Sequence, residues 1–136
     1  MEYHPVAAQV AADVARRDPQ RLSAALTETV RLRALLPGGP IEAHGRENVA
    51  ACLCALFADF DTARVVDSVG EPVADRLLIH YRLHVARAAQ CWVCTQTAVC
   101  RLVEGRLAVI DLLCSGFREI EINDDVLATS GARRVG

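Results

Sequence analysis

Residues 75–85, with the sequence DRLLIHYRLHV, decide the fold class because two kinds of side chain alternate along them. Apolar or aromatic residues occupy every odd position from Leu77 to Val85, and polar or charged residues occupy most even positions. Successive side chains of a strand point to opposite faces, so this period of two predicts a strand with one buried face. The odd positions, Tyr81 among them, are predicted to face the core.

The neighbouring sequence predicts five more strands by the same pattern of alternation and turn residues. These strands are expected at residues 29–36, 41–44, 62–69, 91–102 and 107–117. Residues 70–72 (GEP) are predicted to form a turn. The last four strands then follow one another as an antiparallel meander.

Three helices are predicted where apolar residues recur every three or four positions. They are expected at residues 5–17, 19–26 and 45–60. Pro5 and Pro19 suit first helical positions, and Asp18 is a favourable N-cap. Long antiparallel strands with helices on one face indicate an α+β fold.

The length and charge of the chain limit its domain organisation and its class. A chain of 136 residues fits one domain, predicted over residues 1–122, with a polar, flexible tail at residues 123–136. The net charge of −2, without a basic stripe, argues against nucleic-acid binding. No apolar run approaches the roughly 20 residues of a membrane span, and no signal peptide is apparent, so we expect a cytoplasmic protein without a membrane partner.

The six cysteines are predicted to be reduced and mostly buried, since no secretion signal is apparent. Cys91 and Cys94 point to opposite faces of a strand. Cys52 and Cys54 are separated by about 200° on a helix, so neither spacing predicts a metal site or a cofactor. Cys94 and Cys114 can approach each other on the inner face, where a nucleophilic thiol is an open alternative.

The hairpin between the last two strands allows two registers. A two-residue turn at residues 104–105 puts Ala98 opposite Asp111, which then faces the core. A three-residue loop at residues 103–105 puts Ala98 opposite Ile110, and Asp111 then faces outward. Because Glu suits a type I turn followed by a glycine bulge, we favour the three-residue loop.

This register predicts one wall of a pocket on the inner face of the sheet. The wall consists of Tyr81, Leu83, Trp92, Cys94, Gln96, Ala98, Ile110, Leu112 and Cys114. The residues expected to bind a substrate are Trp92, Gln96, Cys94, Leu112, Cys114 and Ile110. The core is rich in small residues, with only 4% aromatic residues in the chain, and this leaves room for a cavity.

Tyr81, Gln96 and Trp92 are the candidate ligand contacts with polar atoms, and each has an ordinary structural alternative. Tyr81 and Gln96 could donate hydrogen bonds to a ligand oxygen, or they could bond to each other or to water. Trp92 could stack on a planar ligand, or it could be a plain core residue.

Asp111 is the candidate general base, together with Tyr81 as the second candidate catalytic residue. If it is buried, desolvation would raise the pKa of this carboxyl group and suit it to proton abstraction. The alternative is an outer-face carboxylate paired with Arg82, His80 or a partner subunit. The favoured register supports the alternative.

Three segments carry a resemblance to a known superfamily: GRENVAACLCALFADF (45–60), ADRLLIHYRL (74–83) and VEGRLAVIDLLCSGFR (103–118). In helix order, in the Gly-Arg opening of the third helix and in the Glu-Gly-Arg hairpin, residues 5–120 resemble the SnoaL-like group of the nuclear-transport-factor-2-like superfamily. The resemblance implies a cone-shaped cystatin/SnoaL-like fold, in which a curved antiparallel sheet wraps around N-terminal helices and a pocket. It also implies homodimers through the outer sheet face.

The resemblance does not select one activity, because this superfamily includes isomerases, polyketide cyclases, epoxide hydrolases, dehydratases and binding modules. The positions that match the ketosteroid-isomerase acids hold Leu32, Val10 and Ala98. Those that match the epoxide-hydrolase set hold Ile79, Tyr81 and Leu112, so neither activity is carried over.

The resulting hypothesis is a tailoring enzyme of cyclase, isomerase or dehydratase type, acting on an apolar polyketide- or terpenoid-like ligand. The alternatives are a non-catalytic protein that binds a small ligand and a dimeric assembly module. The residues leave open whether the chain is an enzyme.

Overall fold

The computed structural model describes residues 5–121. Its helices are α1 (Pro5–Arg16), α2 (Pro19–Ser23) and α3 (Arg46–Ala55). Its strands are β1 (Leu26–Leu36), β2 (Gly39–His44), β3 (Thr62–Val73), β4 (Arg76–Arg87), β5 (Gln90–Val103), β6 (Arg106–Cys114) and β7 (Arg118–Ile120). The tail predicted at residues 123–136 lies outside the described residues.

Within residues 5–121, seven strands form one curved, open sheet. Their order is β2-β1-β6-β5-β4-β3, and β7 pairs with β5. The meander from β3 to β6 confirms the prediction, as does the α+β class. One pair differs: β1 and β6 run parallel. The five elements between them, from β2 to β5, supply the long crossover connection that a parallel pair needs.

Strand β4 confirms the alternation that decided the fold. The odd positions from Leu77 to Val85 are at most 2% exposed, and they join helix residues such as Val10 and Leu53 in one hydrophobic core. The helices therefore pack on the inner face of the sheet. This burial is the dominant favourable contribution to folding, at about 25 cal/mol per Å² of apolar surface.

Helix α2 begins as predicted but ends earlier. The Asp18 side chain accepts a hydrogen bond from the backbone N–H of Arg21 at 3.1 Å, which confirms the N-cap. The helix stops at Ser23 instead of residue 26 because Leu26 already belongs to β1. The Ala25 carbonyl accepts a hydrogen bond from Leu107 N–H at 2.8 Å, so the chain here is held by the sheet.

Helix α3 ends at Ala55, five residues before the predicted end. The guanidinium group of Arg17 donates hydrogen bonds to the backbone carbonyls of Phe57, Phe60 and Asp61. The Phe57 carbonyl also accepts a hydrogen bond from the Phe60 N–H, at 3.4 Å. Arg17 thus anchors the segment that follows α3, about 40 positions away in sequence.

Strand β3 runs through residues 70–72, which were wrongly predicted to form a turn. Gly70 pairs with Ile79, and Pro72 pairs with Leu77. Proline is tolerated here because β3 is an edge strand, where an unpaired N–H would face away from the sheet. The turn lies two residues beyond Pro72, at Ala74, which has a positive φ of 54°.

The β5–β6 hairpin has neither of the two predicted registers. Its turn is the two-residue alternative, with φ of 53° at Glu104 and 80° at Gly105. A bulge beside Arg101 then shifts the pairing by one residue, and Ala98 lies opposite Leu112. Because of the bulge, the even-numbered residues of β6 point inward, as they would with the three-residue loop. Residue 111 therefore points outward.

Strand β6 ends at Cys114, before the predicted end at residue 117. Gly116 has a φ of 78°, and a Cβ atom at this position would lie 2.7 Å from Cγ of Pro37. The chain therefore turns closely past Pro37 and then resumes pairing with β5 as the short strand β7, which the sequence analysis missed.

Candidate functional site

Tyr81 and Gln96, the polar pair, lie opposite each other on β4 and β5. They are 2% and 1% exposed, in a wall that is otherwise apolar. The Tyr81 hydroxyl donates a hydrogen bond to Oε1 of Gln96 at 2.5 Å. The pair therefore satisfies its own polar atoms, as one of the predicted alternatives had it.

The surroundings of Tyr81 keep its hydroxyl protonated. Burial raises the pKa of Tyr81 above its usual range, and nearby sulfur atoms add to the shift; they belong to Cys94, Cys100, Cys114 and Cys54. The phenol therefore stays protonated over the physiological pH range and acts as a hydrogen-bond donor.

Cys94 and Cys114, the thiol pair, continue this network towards the end of β6. Their sulfur atoms are 3.6 Å apart, and Nε2 of Gln96 donates a hydrogen bond to the Cys114 sulfur at 3.3 Å. Hydrogen bonds from Cys94, Gln96 and the Gly116 N–H lower the pKa of Cys114 to about 6, against the opposing effect of burial. The hydrogen bond to Cys114, followed by burial, raises the pKa of Cys94.

Phe57, Phe60, Trp92 and Phe117 form an aromatic cluster at the same end of the sheet. Ring centroids are 5.4 Å apart for Phe60 and Trp92, 4.8 Å for Phe60 and Phe117, and 5.7 Å for Phe57 and Phe117. The Arg87 guanidinium lies 5.6 Å from the Trp92 centroid and 5.8 Å from that of Phe60. Trp92 therefore lies half-buried in an aromatic and a cation–π contact, and stacking on a planar ligand stays a prediction.

The structure brings the nine predicted wall residues to the inner face. Seven of them are at most 4% exposed, while Trp92 and Cys114 are half-buried at the edge of the wall. The buried wall residues pack against the helices within the hydrophobic core. The polar pair, the thiol pair and the aromatic cluster are thus contiguous along β5.

Asp111 lies on the outer face of the sheet, where it pairs across β5 and β6 with Val99. Its side chain is 50% exposed, and its carboxylate is 3.8 Å from Nε of Arg33. A buried base at this position is therefore ruled out by the geometry. The predicted alternative, an outer-face carboxylate near an arginine, is confirmed, although the arginine is Arg33 of β1 instead of Arg82.

The sequence analysis missed the roles of Phe60, Phe117 and Arg87 in the aromatic cluster, because no local pattern connects three separate segments. It also missed Asp13, a buried carboxylate on α1 that is 1% exposed. Nε2 of Gln9 donates a hydrogen bond to Oδ1 of Asp13 at 2.9 Å. The signal available in the sequence was an acid within the apolar stretch between Val10 and Val14.

The outer face carries a groove of about 480 Å³ between β2, β1, β6 and β5. Leu35, Val99 and Leu113 line it and are 53%, 45% and 58% exposed. Beyond the groove, Nδ1 of His80 and the Thr97 hydroxyl are 2.8 Å apart. The groove therefore combines exposed apolar side chains with the charged side chains of Arg33, Glu42 and Asp111.

The search for other kinds of site concerns residues 5–121 only. In that range no group of three or more histidine, cysteine or acidic side chains is arranged to hold a metal ion. None of the helices described has the length and apolar character needed to cross a membrane.

No protein-family model and no curated protein matches this sequence. Solved structures do match its fold. A hypothetical protein from Catenulispora acidiphila with a ketosteroid isomerase-like fold, in complex with trimethylamine, has a TM-score of 0.70 at 12% identity, covering 84% of this chain and 88% of that chain. A candidate polyketide cyclase from Xanthomonas campestris has a TM-score of 0.62 at 16% identity, covering 89% of this chain and 91% of that chain.

A cystatin-fold protein of uncharacterised function from Novosphingobium aromaticivorans matches with a TM-score of 0.59 at 15% identity, covering 79% of this chain and 93% of that chain. These three structures share the curved sheet and N-terminal helices described above. The chain therefore shares the fold of these ketosteroid isomerase-like and cystatin-fold structures, which is the fold that its resemblance to the SnoaL-like group implies.

Proposed function

We propose that this protein binds a small, apolar, polyketide- or terpenoid-like molecule on the inner face of the sheet, next to the aromatic cluster. The observation that carries this proposal is a buried polar pair within an apolar wall, at the end where aromatic side chains lie half-exposed. Ligand sites typically combine apolar walls with a few convergent polar groups. One fold neighbour, named as a candidate polyketide cyclase, supports this class of ligand.

Access to the polar pair would come through the aromatic cluster. Phe117 is 40% exposed and follows Gly116, whose positive φ makes a turn in the segment between β6 and β7. Rotation of the Phe117 ring away from Phe60 would uncover Trp92 and the inner wall behind it. A planar ligand could then take the place of Phe117 against Phe60.

The chemistry that fits this site is activation of a carbonyl group by hydrogen bonding. Tyr81 keeps its proton, so its hydroxyl can turn from Gln96 to a ligand oxygen and stabilise negative charge that develops there. The Gln96 amide offers a donor and an acceptor for a second contact. Positioning by the wall together with these donors would favour cyclisation, isomerisation or dehydration. Asp111 takes no part, because it faces outward.

Binding can be measured directly because Trp92 is the only tryptophan in the chain. We expect 1,8-dihydroxyanthraquinone, a planar polyketide-like probe, to quench Trp92 fluorescence saturably. Gln96→Leu should weaken the affinity about fivefold, since one neutral hydrogen bond contributes about 1 kcal/mol. Thr97→Ala, a neighbouring change on the outer face, is the matched control and should leave the affinity unchanged. Absence of saturable quenching, or an equal effect of both variants, would contradict the proposal.

A second candidate function, a dimeric assembly module, is supported by the exposed apolar side chains around the outer groove. We expect the wild-type protein to sediment as a homodimer and Leu113→Asp to weaken the dimer at least tenfold, because a buried unpaired charge is costly. Val103→Asp is the control, since Val103 is 48% exposed beside the β5–β6 turn and does not line the groove. A monomeric wild-type protein would exclude this function. A stable dimer without quenching by any probe would favour it over ligand binding.

A further inference from the structure

The geometry of the thiol pair points to a chemistry that the proposed ligand site does not use. Gln96 stands directly opposite Cys114, so Cys94 lies diagonally across from Cys114 on the neighbouring strand. The two sulfur atoms are 3.6 Å apart. A disulfide bond is about 2.05 Å long, so side-chain rotations need to close a gap of only about 1.6 Å.

The two sulfur atoms differ in their surroundings. Cys94 is fully buried, whereas Cys114 is half-buried at the end of β6. The Cys114 sulfur shares a hydrogen bond with Cys94 and accepts hydrogen bonds from Gln96 and the Gly116 N–H, and these lower its pKa to about 6. Cys94 keeps its proton, because the bond to Cys114 raises its pKa. Cys114 is thus suited to act as a nucleophile, and Cys94 keeps the proton of its thiol.

Apart from burial and the two thiols themselves, the groups that shift the pKa values of the pair are neutral: Gln96, Ser115 and the Gly116 N–H. Tyr81 lies on the neighbouring strand β4 and bonds to Gln96. Two thiols of the core differ from Cys114, since burial raises the pKa of Cys54 to about 11 and that of Cys100 to about 12. Of these three thiols, Cys114 is the most reactive.

We propose that Cys94 and Cys114 form a redox-active dithiol that reduces small hydroperoxides, with Cys114 as the attacking thiol and Cys94 as the resolving thiol. A small oxidant fits because the attacking sulfur is half-buried and its partner has no exposed surface. The site is distinct from the polar pair in chemistry, although Gln96 belongs to both.

The reaction balances in two steps. The Cys114 thiolate attacks the outer oxygen of the hydroperoxide, an S–O bond forms, the O–O bond breaks, and the departing alkoxide takes a proton to become an alcohol. The Cys94 sulfur then attacks the Cys114 sulfur, the S–S bond forms, the S–O bond breaks, and the thiol proton leaves with the oxygen as water. Overall, two thiols and one hydroperoxide give a disulfide, an alcohol and water.

The disulfide can be mapped in the intact wild-type protein. After treatment with one equivalent of hydrogen peroxide and blocking of free thiols, trypsin releases residues 88–101 and 107–118 as separate peptides. We expect these two peptides to become linked, and fragmentation to locate the link at Cys94 and not at Cys91 or Cys100. A link through Cys91 or Cys100, or sulfinic acid at Cys114 without any link, would overturn the proposal.

Two variants and a second oxidant sharpen this experiment. Cys94→Ser should abolish the link and leave Cys114 as a sulfenic acid, which a dimedone probe detects, while Cys52→Ala should behave as wild type. A link between the same two peptides in Cys94→Ser, which would have to pass through Cys91 or Cys100, would overturn the assignment of the resolving thiol. A faster reaction with oxidised glutathione than with hydrogen peroxide would overturn the choice of oxidant.

The pH dependence of alkylation tests the role of the hydrogen bond from Cys94. The rate at which iodoacetamide modifies Cys114 should rise with a midpoint at about pH 6 and then level off. Cys94→Ala removes a donor, so the midpoint should move up towards the ordinary thiol value of about 8.5. Cys94→Ser keeps a hydroxyl donor and should restore part of the shift. The same midpoint in all three proteins would show that Cys94 does not activate Cys114.

Discussion

Phe57→Ala lowers the free energy of unfolding by about 3–5 kcal/mol, the range for loss of a buried phenylalanine ring. Phe57 is fully buried although it lies beyond the end of α3, and its ring meets that of Phe117 edge-on at 5.7 Å. The substitution leaves a cavity where helix, sheet and aromatic cluster meet. A loss of this size is a large part of the roughly 5–15 kcal/mol that stabilises an average domain.

Urea unfolding followed by far-ultraviolet circular dichroism measures this loss. Phe117→Ala is the matched control, since it removes the same side chain from the same cluster at a position that is 40% exposed. We expect it to cost less than half as much, because part of its surface already contacts water. Equal costs at the two positions would mean that Phe57 is not packed as the structure shows.

The polar pair gives the second large effect, in a double-mutant cycle. Tyr81→Phe leaves Oε1 of Gln96 without its partner, and Gln96→Leu leaves the Tyr81 hydroxyl without an acceptor. Each single change should cost about 1–3 kcal/mol, the usual penalty for a buried polar group that loses its hydrogen bond. The double variant leaves neither group unpaired, so its cost should be smaller than the sum of the two by about 1–2 kcal/mol.

The double-mutant cycle also tests whether a water-filled pocket surrounds Tyr81 and Gln96. If water fills a chamber around Tyr81 and Gln96, the orphaned group in each single variant bonds to water, and both single changes become nearly neutral. Far-ultraviolet circular dichroism of the three variants verifies that the fold is kept. Additive costs, with no coupling between the two positions, would contradict the direct hydrogen bond from Tyr81 to Gln96.

The faces of the central strands followed from local sequence. The alternation from Leu77 to Val85 assigns each side chain to a face, because the period of two is a property of any extended chain. The same reasoning put Tyr81 and Gln96 on the inner face before any contact was known. Asp18 and Pro19 marked the start of α2 through rules that involve only adjacent residues.

The register of β5 on β6 did not follow from local sequence. The turn at Glu104 and Gly105 takes the two-residue form that its residues disfavour, and a bulge beside Arg101 corrects the facing. A bulge leaves no clear mark in sequence, since it depends on how two strands twist against each other. The outward direction of Asp111 was nevertheless predicted correctly. Both the bulge and the three-residue loop place an even-numbered residue of β6 opposite Ala98, so odd-numbered residues such as Asp111 face outward.

The sequence by itself determined the α+β class, the strand faces of β4 and β5 and the inner position of Tyr81, because these depend on periodicities within single elements. The inner position of Cys114 depended also on the register of β5 on β6. Only the tertiary structure decided that Arg17 reaches backbone carbonyls of the segment after α3, that Phe60 contacts both Trp92 and Phe117, and that two sulfur atoms lie 3.6 Å apart. Those contacts join residues far apart in the chain. Their distances are set by the curvature and pairing of the whole sheet, which no single segment encodes.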